Sequence, residues 1–455
     1  MCATEFGLIG HPLGHSLSPF IHHGIMGAAG LEGSYRLFDI PAECLAETIR
    51  RLSADLAGFN CTIPYKEAII PFLGGLDETA ARIRSVNTVA DRKGYNTDFA
   101  AFRQACPLHK GSLVLLLGAG GVSRTMAYAA ADAGCHLYLV ARRPEQADAL
   151  VAAVRCHYPK AVLQSCATLS EWRIMAGQLA AERGGWIVLN GTPLGMWPDL
   201  SGLPLPKDDL VHVQRVYDTI YNPVATRLVL AARSRGIPAD GGQGMLFHQA
   251  LAAQKIWHPD VVFEPVLMRR VQRDLTQAIM KQSPVTILLT GFMGSGKTTV
   301  GRLLAKKLDL PFLDLDTSIE KQAGRSIPEI FATEGEAYFR DLERSVLRQS
   351  LDRRQSQVMS TGGGALLGDG VDLLRKVYPV LIILLDVSLP VALQRLGRGE
   401  GRPMLAGQDG QAWEKLYQQR QPRYHELADL VVDADSCPGQ IARAISQHLG
   451  LEENQ

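Results

Sequence analysis

Residues 290–299 read TGFMGSGKTT, and no other segment narrows the possible folds so far. Gly291-x4-Gly296-Lys297-Thr298 is a complete phosphate-binding loop pattern. It follows the apolar run VTILL and precedes TTVGRLLAKKL, so it sits between a strand and a helix. That context is what phosphate binding requires. Glycines let backbone N–H groups wrap phosphate oxygens, and the helix start adds partial positive charge. Gly291, Gly294, Ser295, Gly296 and Thr299 form the expected cradle. Lys297 reaches the β- and γ-phosphates, and Thr298 offers a hydroxyl to Mg2+.

The loop begins nearly three hundred residues into a chain of 455, a length that favours two or three domains. Short β-rich runs alternate with Ala/Leu-rich helical runs, as in SLVLLLG then SRTMAYAAADAG. Such alternation predicts an α/β fold with parallel sheets covered by helices. The stretch LMRRVQRDLTQAIMKQSPVT starts as a helix and turns polar at KQSP before a new strand. We therefore expect a linker over 269–284 and a separate domain over 285–455. Upstream, a dinucleotide-type unit starts at LLLGAGG, residues 115–121. It divides the first part into a domain at 101–239 and another at 1–100 that 240–268 rejoins. A ligand cleft between these two is the usual arrangement.

Lys plus Arg (47) nearly equals Asp plus Glu (46), which gives no global pull towards nucleic acid or an anionic membrane. The eight cysteines are scattered, with no C-x-x-C and no zinc spacing, and read as reduced thiols of a cytoplasmic protein. No basic segment followed by an apolar run opens the sequence. Composition sets no oligomeric state.

Past the phosphate loop, FLDLDTSIE places Asp314 and Asp316 two apart at the end of an apolar strand, hence on one face. One carboxylate could support Mg2+ and the other accept a hydroxyl proton; two turn carboxylates are the plainer reading. STGGGALL is a second glycine cluster after a strand, suited to close approach by a ligand. GRGEGRPML, 397–405, reads as a basic lid or a solvated loop. These motifs, with IFATEGEAYFRDLE and QQRQPRY, resemble shikimate kinase in order and spacing over about 285–450. The resemblance implies ATP- and Mg2+-dependent phosphorylation of the shikimate 3-hydroxyl. It implies that Asp316, Arg340, Gly362, Gly363, Gly364 and Arg420 hold shikimate, the two arginines on its carboxylate. It implies Arg402 as the lid arginine and Arg395 at adenine, and Thr298 and Asp314 are the expected metal ligands. Met404 departs from the usual Leu of the lid.

In the first part, Gly118 and Gly120 are the first two glycines of G-x-G-x-x-G, while Ser123 takes the third place, so the fingerprint is incomplete. The following strand, HLYLVARRP, ends in Arg142 and Arg143 with no acid to meet a ribose 2′-hydroxyl. That favours a 2′-phosphate, hence NADPH over NADH. The block before it is rich in hydroxyls and amides: Ser16 and Ser18 in GHPLGHSLSP, Thr62 and Lys66 in FNCTIPYK, Asn87 in SVNTV, Asn96 and Asp98 in YNTDF. Such groups could orient a polyhydroxylated acid, although each alone is an ordinary turn or surface residue.

Together with NGTPLGM, YDTIYNPVATRL and GMLFHQA, these motifs resemble shikimate dehydrogenase over about 6–268. The resemblance implies a substrate domain and a Rossmann-like NADP(H) domain, with Ser16, Ser18, Thr62, Asn87 and Gln249 on the substrate. Lys66 and Asp98 match the catalytic pair. Gly118, Gly120, Gly121 and Ser123 match the pyrophosphate loop, Arg142 the 2′-phosphate site, and Met196 and Gly244 the nicotinamide surroundings. His23 stands where Asn is usual and Ala101 where Gly is common. The chemistry the resemblance implies is hydride transfer from NADPH to the ketone of 3-dehydroshikimate, with Lys66 supplying a proton; Ile63 and Pro64 are its expected apolar neighbours. The whole chain then reads as a two-step enzyme of aromatic amino-acid (chorismate) biosynthesis that makes shikimate and phosphorylates it. A quinate/shikimate dehydrogenase fused to the kinase and a non-catalytic shikimate sensor are the alternatives.

Overall fold

The computed structural model describes residues 4–14, 16–352, 355–367, 371–396 and 410–451. Its contacts group into two compact units, each taken by itself below.

The first unit holds two sheets. One contains β1 (Thr4–Gly10), β2 (Gly33–Asp39), β3 (Gly58–Cys61), β4 (Gly75–Leu76), β5 (Thr88–Ala90) and β6 (Lys93–Tyr95), in the order β2-β1-β3-β5-β6-β4. This sheet is mixed, where alternation alone predicts parallel strands. β5 pairs antiparallel with both β3 and β6. The reason is local: Asp91 and Arg92 take φ of 47° and 61°, which makes the two-residue turn that suits a tight hairpin.

The other sheet contains β7 (Leu113–Leu117), β8 (His136–Val140), β9 (Val162–Cys166), β10 (Trp186–Asn190), β11 (Val213–Asp218) and β12 (Ala239–Asp240). Its order is β12-β11-β10-β7-β8-β9, and every pairing is parallel. β7 and β10 are buried along their whole lengths, as strands covered on both faces must be. The chain reverses direction across the sheet between β7 and β10, the position where doubly wound folds open a ligand crevice.

The helix Pro265–Gln282 occupies most of the expected linker. Its buried residues Met268, Val271, Leu275 and Ile279 recur every three or four positions, and it packs on the helix Ser18–Ala28. The polar ending KQS belongs mainly to its last turn. Only Ser283–Val285 separate it from the next strand.

The second unit is built on β13 (Thr286–Thr290), β14 (Phe312–Asp314), β15 (Gln357–Ser360), β16 (Val380–Asp386) and β17 (Leu430–Asp433), all parallel in the order β14-β15-β13-β16-β17. The central β13 carries the phosphate loop at its C-terminal end. Leu194–Leu203 and Asn222–Gly236 also belong to this unit by contact, although sequence order sets them inside the 101–239 region. Trp197 Nε1 donates to the Pro284 carbonyl (3.0 Å), and Arg227 pairs with the buried Asp429 (2.6 Å).

Replacing Leu275, which is fully buried, by Ala should destabilise the intact chain by about 2–5 kcal/mol. The exposed Arg270→Ala should stay within about 0.5 kcal/mol. Urea unfolding followed by circular dichroism measures both.

Candidate active sites

In the first unit, Lys66 and Asp98 meet. Lys66 Nζ donates to Asp98 Oδ2 at 2.7 Å, with both side chains largely shielded. Each is held from behind. The Lys66 carbonyl accepts Val86 N–H (2.8 Å), and the neighbouring Tyr65 hydroxyl donates to the Ile40 carbonyl (2.5 Å). Asp98 lies in the first turn of the helix Thr97–Ala105, whose N-cap Asn96 accepts Phe99 N–H and donates to the Ser85 carbonyl. Ile63 is 71% exposed and does not shield Lys66 as expected. The nearby Cys61 is buried, which pushes its thiol up to about 12 against the pull of the Lys66 charge.

Asn87 is buried, and its amide is fixed by Thr97: Oδ1 accepts Thr97 N–H (2.7 Å) and Nδ2 donates to Thr97 Oγ1 (2.9 Å). Asn60 braces the same segment by donating to the Asn87 carbonyl (3.0 Å), and Tyr35 donates to Asn60 (2.7 Å). Neither Asn60 nor Tyr35 was singled out from the sequence, although an Asn inside a buried four-residue strand was a usable signal. Tyr35 stacks on the buried His22, which burial lowers to about 3 and so keeps neutral. His23, at the position where Asn is usual, accepts Tyr35 N–H through Nε2 (3.1 Å). Ala101 is buried in the core shared with β7.

Ser18 opens the helix Ser18–Ala28, and its N–H donates to Oγ of Ser16, two residues before (3.3 Å). Their loop is tied down by Asp39, which accepts Leu13 N–H (2.9 Å) and meets His11 (2.6 Å). Those bonds hold the Asp39 carboxyl below its ordinary value. Thr62 follows β3 and lies against Gly10, where a Cβ would come within 2.6 Å of its methyl group. Gln249 donates to Leu246 of its own helix, Gln243–Trp257, which packs on the Asp98 helix. No hydrogen bond described here joins Ser16, Ser18, Thr62 or Gln249 to Lys66.

The nucleotide loop follows β7. Gly118 has φ of 98° and crowds Gly191, where a side chain would meet backbone at 3.1 Å. Gly120 caps the helix Gly121–Asp132. Ser123 is fully buried, and its hydroxyl faces the Gly191 carbonyl (3.5 Å). Its hydroxyl is thus turned inward; the third position needs a small residue so that helix and strand can approach. Arg142 and Arg143 are exposed just beyond β8. Gly244 lies at the start of the helix Gln243–Trp257.

In the second unit, Gly291, Gly294 and Gly296 all have positive φ (140°, 79° and 86°), which only glycine adopts freely. Lys297 Nζ folds back on the carbonyls of Gly291 (2.8 Å) and Phe292 (2.9 Å). A cavity of about 360 Å³ opens here, lined by the loop together with Asp314, Asp316, Gly362, Gly363 and Arg395. Arg395 clamps the carbonyls of Ala434, Asp435 and Ser436 at its edge.

Asp314 and Asp316 share the cavity, but not as neighbours on a strand. β14 ends at Asp314, which caps the helix Leu315–Ala323, and Asp316 lies in the helix's first turn. The Asp314 side chain accepts Thr317 N–H (3.1 Å), and that bond starts the helix earlier than apolar spacing suggests. Burial alone would raise the Asp314 carboxyl. Hydrogen bonds from Thr298 (2.7 Å), Thr317 and Ser360 (2.8 Å) outweigh it and hold the group below its ordinary value. Its contribution to stability is therefore complete above the ordinary carboxyl range and is lost as pH falls through the lowered value.

Around the glycine triplet the predicted residues converge. A Cβ on Gly362 would lie 2.9 Å from Asp316 and 3.0 Å from Glu343. One on Gly363 would be 3.5 Å from Arg420, and one on Gly364 2.8 Å from Arg340. Tyr424 donates to the Gly363 carbonyl. The long helix Ile327–Leu351 is broken at Gly335 (φ 83°), and Arg340 and Glu343 lie on its second segment. Glu343 was not foreseen. It is buried, its carboxyl is raised by that burial against the pull of Arg340, and it accepts from Arg340 Nη1 at 2.7 Å. Its i, i+3 spacing from Arg340 was the available signal. Arg402 and Met404 lie outside the described residues.

A substrate domain with a Rossmann-like domain, followed by a P-loop domain, defines a reductase joined to a phosphotransferase. Comparison with known proteins makes this particular. The family model described as Shikimate kinase matches residues 293–450, and that of the Shikimate dehydrogenase substrate binding domain matches 8–89. A Shikimate dehydrogenase (NADP(+)) of Moorella thermoacetica is 39% identical over 261 residues, 55% of this chain and 86% of that protein. One of Caldanaerobacter subterraneus subsp. tengcongensis is 33% identical over 57% of this chain and 95% of its own length. Among solved structures, the Thermus thermophilus shikimate 5-dehydrogenase in complex with NADP(H) and shikimate is similar, with a TM-score of 0.52 and 30% identity, over 60% of this chain and 99% of that one. A chorismate mutase/shikimate 5-dehydrogenase fusion protein from Clostridium acetobutylicum gives a TM-score of 0.53 at 29% identity, over 61% and 99%. The chain belongs to the shikimate dehydrogenase family and carries a shikimate kinase domain at its C-terminal end.

Gly362→Ala should place a methyl group between Asp316 and Glu343. We expect a rise of at least about tenfold in the KM for the phosphoryl acceptor, with the KM for ATP within twofold. Glu343→Gln should weaken the hold on Arg340, which also pairs with Glu336 (3.2 Å), and raise the same KM by about tenfold. Steady-state kinetics with each substrate varied in turn reads both.

Proposed function

We propose that the chain reduces 3-dehydroshikimate to shikimate with NADPH and then transfers the γ-phosphoryl group of ATP to the shikimate 3-hydroxyl. One observation carries this: a single chain holds Lys66 against Asp98 at 2.7 Å, and also a carboxylate-and-arginine cleft beside a phosphate loop. In this reading 1–100 and 240–268 serve the substrate, 101–239 serves NADP(H), and 285–455 is the kinase.

In the reductase, bound NADPH supplies the hydride to the carbonyl carbon. Lys66 gives the carbonyl oxygen its proton, and the Asp98 carboxylate aims the ammonium. Asn87, braced by Thr97 and Asn60, together with Ser16, Ser18, Thr62 and Gln249, would orient the ring hydroxyls and carboxylate. The strained Gly118 turn and the helix opening at Gly120 fit a pyrophosphate, while Gly121 and Ser123 allow the helix its close approach. Arg142 suits a 2′-phosphate, and Met196 and Gly244 border the nicotinamide.

In the kinase, bound ATP with Mg2+ supplies the phosphoryl group. The positive-φ glycines, Ser295, Thr298 and Thr299 fit the phosphates, and the ionised Asp314 beside Thr298 fits the cation. Lys297 would exchange its carbonyl partners for phosphate oxygens. Asp316 would take the hydroxyl proton, with Arg340 and Arg420 on the substrate carboxylate, Arg395 at the adenine end and Arg402 closing from the lid. Placement in the cytoplasm fits the free thiols, and no described helix is long and apolar enough to cross a membrane.

Incubation with 3-dehydroshikimate, NADPH, ATP and Mg2+ should give shikimate 3-phosphate by mass. Lys66→Ala should lower NADPH oxidation by at least about a hundredfold and spare shikimate phosphorylation. Lys297→Ala should do the reverse. Loss of both activities from either change in a folded protein would refute two independent sites.

A further inference from the structure

Within the second unit, the helix Gly410–Leu427 carries Arg420 and Tyr424, and both lie beside Gly363. A further set of contacts starts one turn earlier on this helix. Tyr417, Gln421 and Tyr424 recur at i, i+4 and i+7, so they share one side of it. The Tyr417 ring meets Phe292 edge-on, with centroids 5.2 Å apart and planes at 81°. Phe292 belongs to the phosphate loop and is buried. Asp386 ends β16 and Val387 follows it, just beyond Leu385, whose carbonyl oxygen would lie 2.5 Å from a Cβ on Gly291. The helix is tied to these two residues as well.

The direction of each bond follows from the donors available. The Tyr417 hydroxyl donates to the Val387 carbonyl (2.9 Å) and accepts from Gln421 Nε2 (2.5 Å). Gln421 Nε2 also donates to Asp386 Oδ1 (3.0 Å). An ionised carboxylate only accepts, so the NH2 end of Gln421 must face Asp386. Gln421 Oε1 is buried without a hydrogen-bond partner among the described residues, so the amide gives up one bond to make these two. The other Asp386 oxygen meets His425 Nε2 (3.3 Å), one turn further along the helix. Pro422 lies inside the helix and removes a backbone donor between Arg420 and Tyr424. The helix there depends all the more on its side-chain bonds.

We propose that Tyr417 is a positioning residue of the phosphotransferase: its ring backs the phosphate loop through Phe292, and its hydroxyl fixes the helix that aims Arg420 at the acceptor carboxylate. This rests on the reading of the second unit as a shikimate kinase with Arg420 on the substrate. Tyr417 does not itself line the cavity. It acts through Phe292 on the nucleotide side and through Gln421 and Val387 on the acceptor side. Ring and hydroxyl therefore serve the two ends of the cleft separately, and substitution can take away one without the other.

Steady-state kinetics of the intact chain with ATP and shikimate tests this. Tyr417→Phe keeps the ring and removes both hydroxyl bonds. The KM for shikimate should rise about three- to tenfold, with the KM for ATP within about twofold. Tyr417→Leu removes the ring as well, and both constants should rise by at least about threefold. Gln421→Leu, which removes the Asp386 anchor and keeps the ring, should repeat the Tyr417→Phe pattern. A merely structural role would lower the urea midpoint and leave both constants alone, because KM does not depend on how much of the enzyme is folded. Constants within about twofold in all three variants therefore overturn the proposal, as does a raised KM for ATP in Tyr417→Phe. A wild-type chain that does not phosphorylate shikimate overturns the kinase reading itself, a different failure from an active wild type that is indifferent to Tyr417.

Discussion

A buried parallel strand that ends in a glycine turn and opens a helix is the constraint on which both halves of this protein depend. β7 and β13 are each buried along their length, and each delivers its chain into a turn with positive φ, at Gly118 and at Gly291. The helix that follows starts with unpaired N–H groups and a partial positive charge. Two candidate nucleotide sites thus arise from one local solution. They differ in what the glycines must avoid: Gly118 crowds Gly191 in the first unit, and Gly291 crowds the Leu385 carbonyl in the second.

The electrostatics of the two sites follow from how each charge is backed. Lys66 and Asp98 form an ion pair in a partly shielded place, so neither charge stands isolated. In the kinase cleft the balance is finer. Asp314 stays ionised because four hydrogen bonds outweigh its burial, whereas burial raises Glu343 despite Arg340. A buried carboxylate next to an arginine costs desolvation, which good geometry must offset. Its return here is placement, since Glu343 holds Arg340 beside Gly364, where an acidic ligand would meet it.

Much of the site was legible because the motifs are local. The phosphate loop, the Asn96 cap that presents Asp98, and the glycine triplet each form within a few residues of one another. The misses share a physical cause. Asp314 and Asp316 look like strand neighbours by apolar spacing, but a capping bond to Thr317 N–H ends the strand early. Ser123 reads as a gap in the glycine fingerprint, whereas in the fold it packs tightly against Gly191 with its hydroxyl turned inward. KQSP looks like a linker by polarity, while Met268, Val271, Leu275 and Ile279 keep the preceding residues helical.

By itself the sequence determined the α/β class, the phosphate loop and the motifs of an NADP-dependent dehydrogenase and an ATP-dependent kinase, because backbone propensity and side-chain type act at short range. Only the tertiary structure decided that Lys66 meets Asp98 across 32 positions, that Glu343 backs Arg340, and that Arg227 finds Asp429 across 202. Those pairings rest on burial and on the closing of distant elements, which no spacing along the chain encodes.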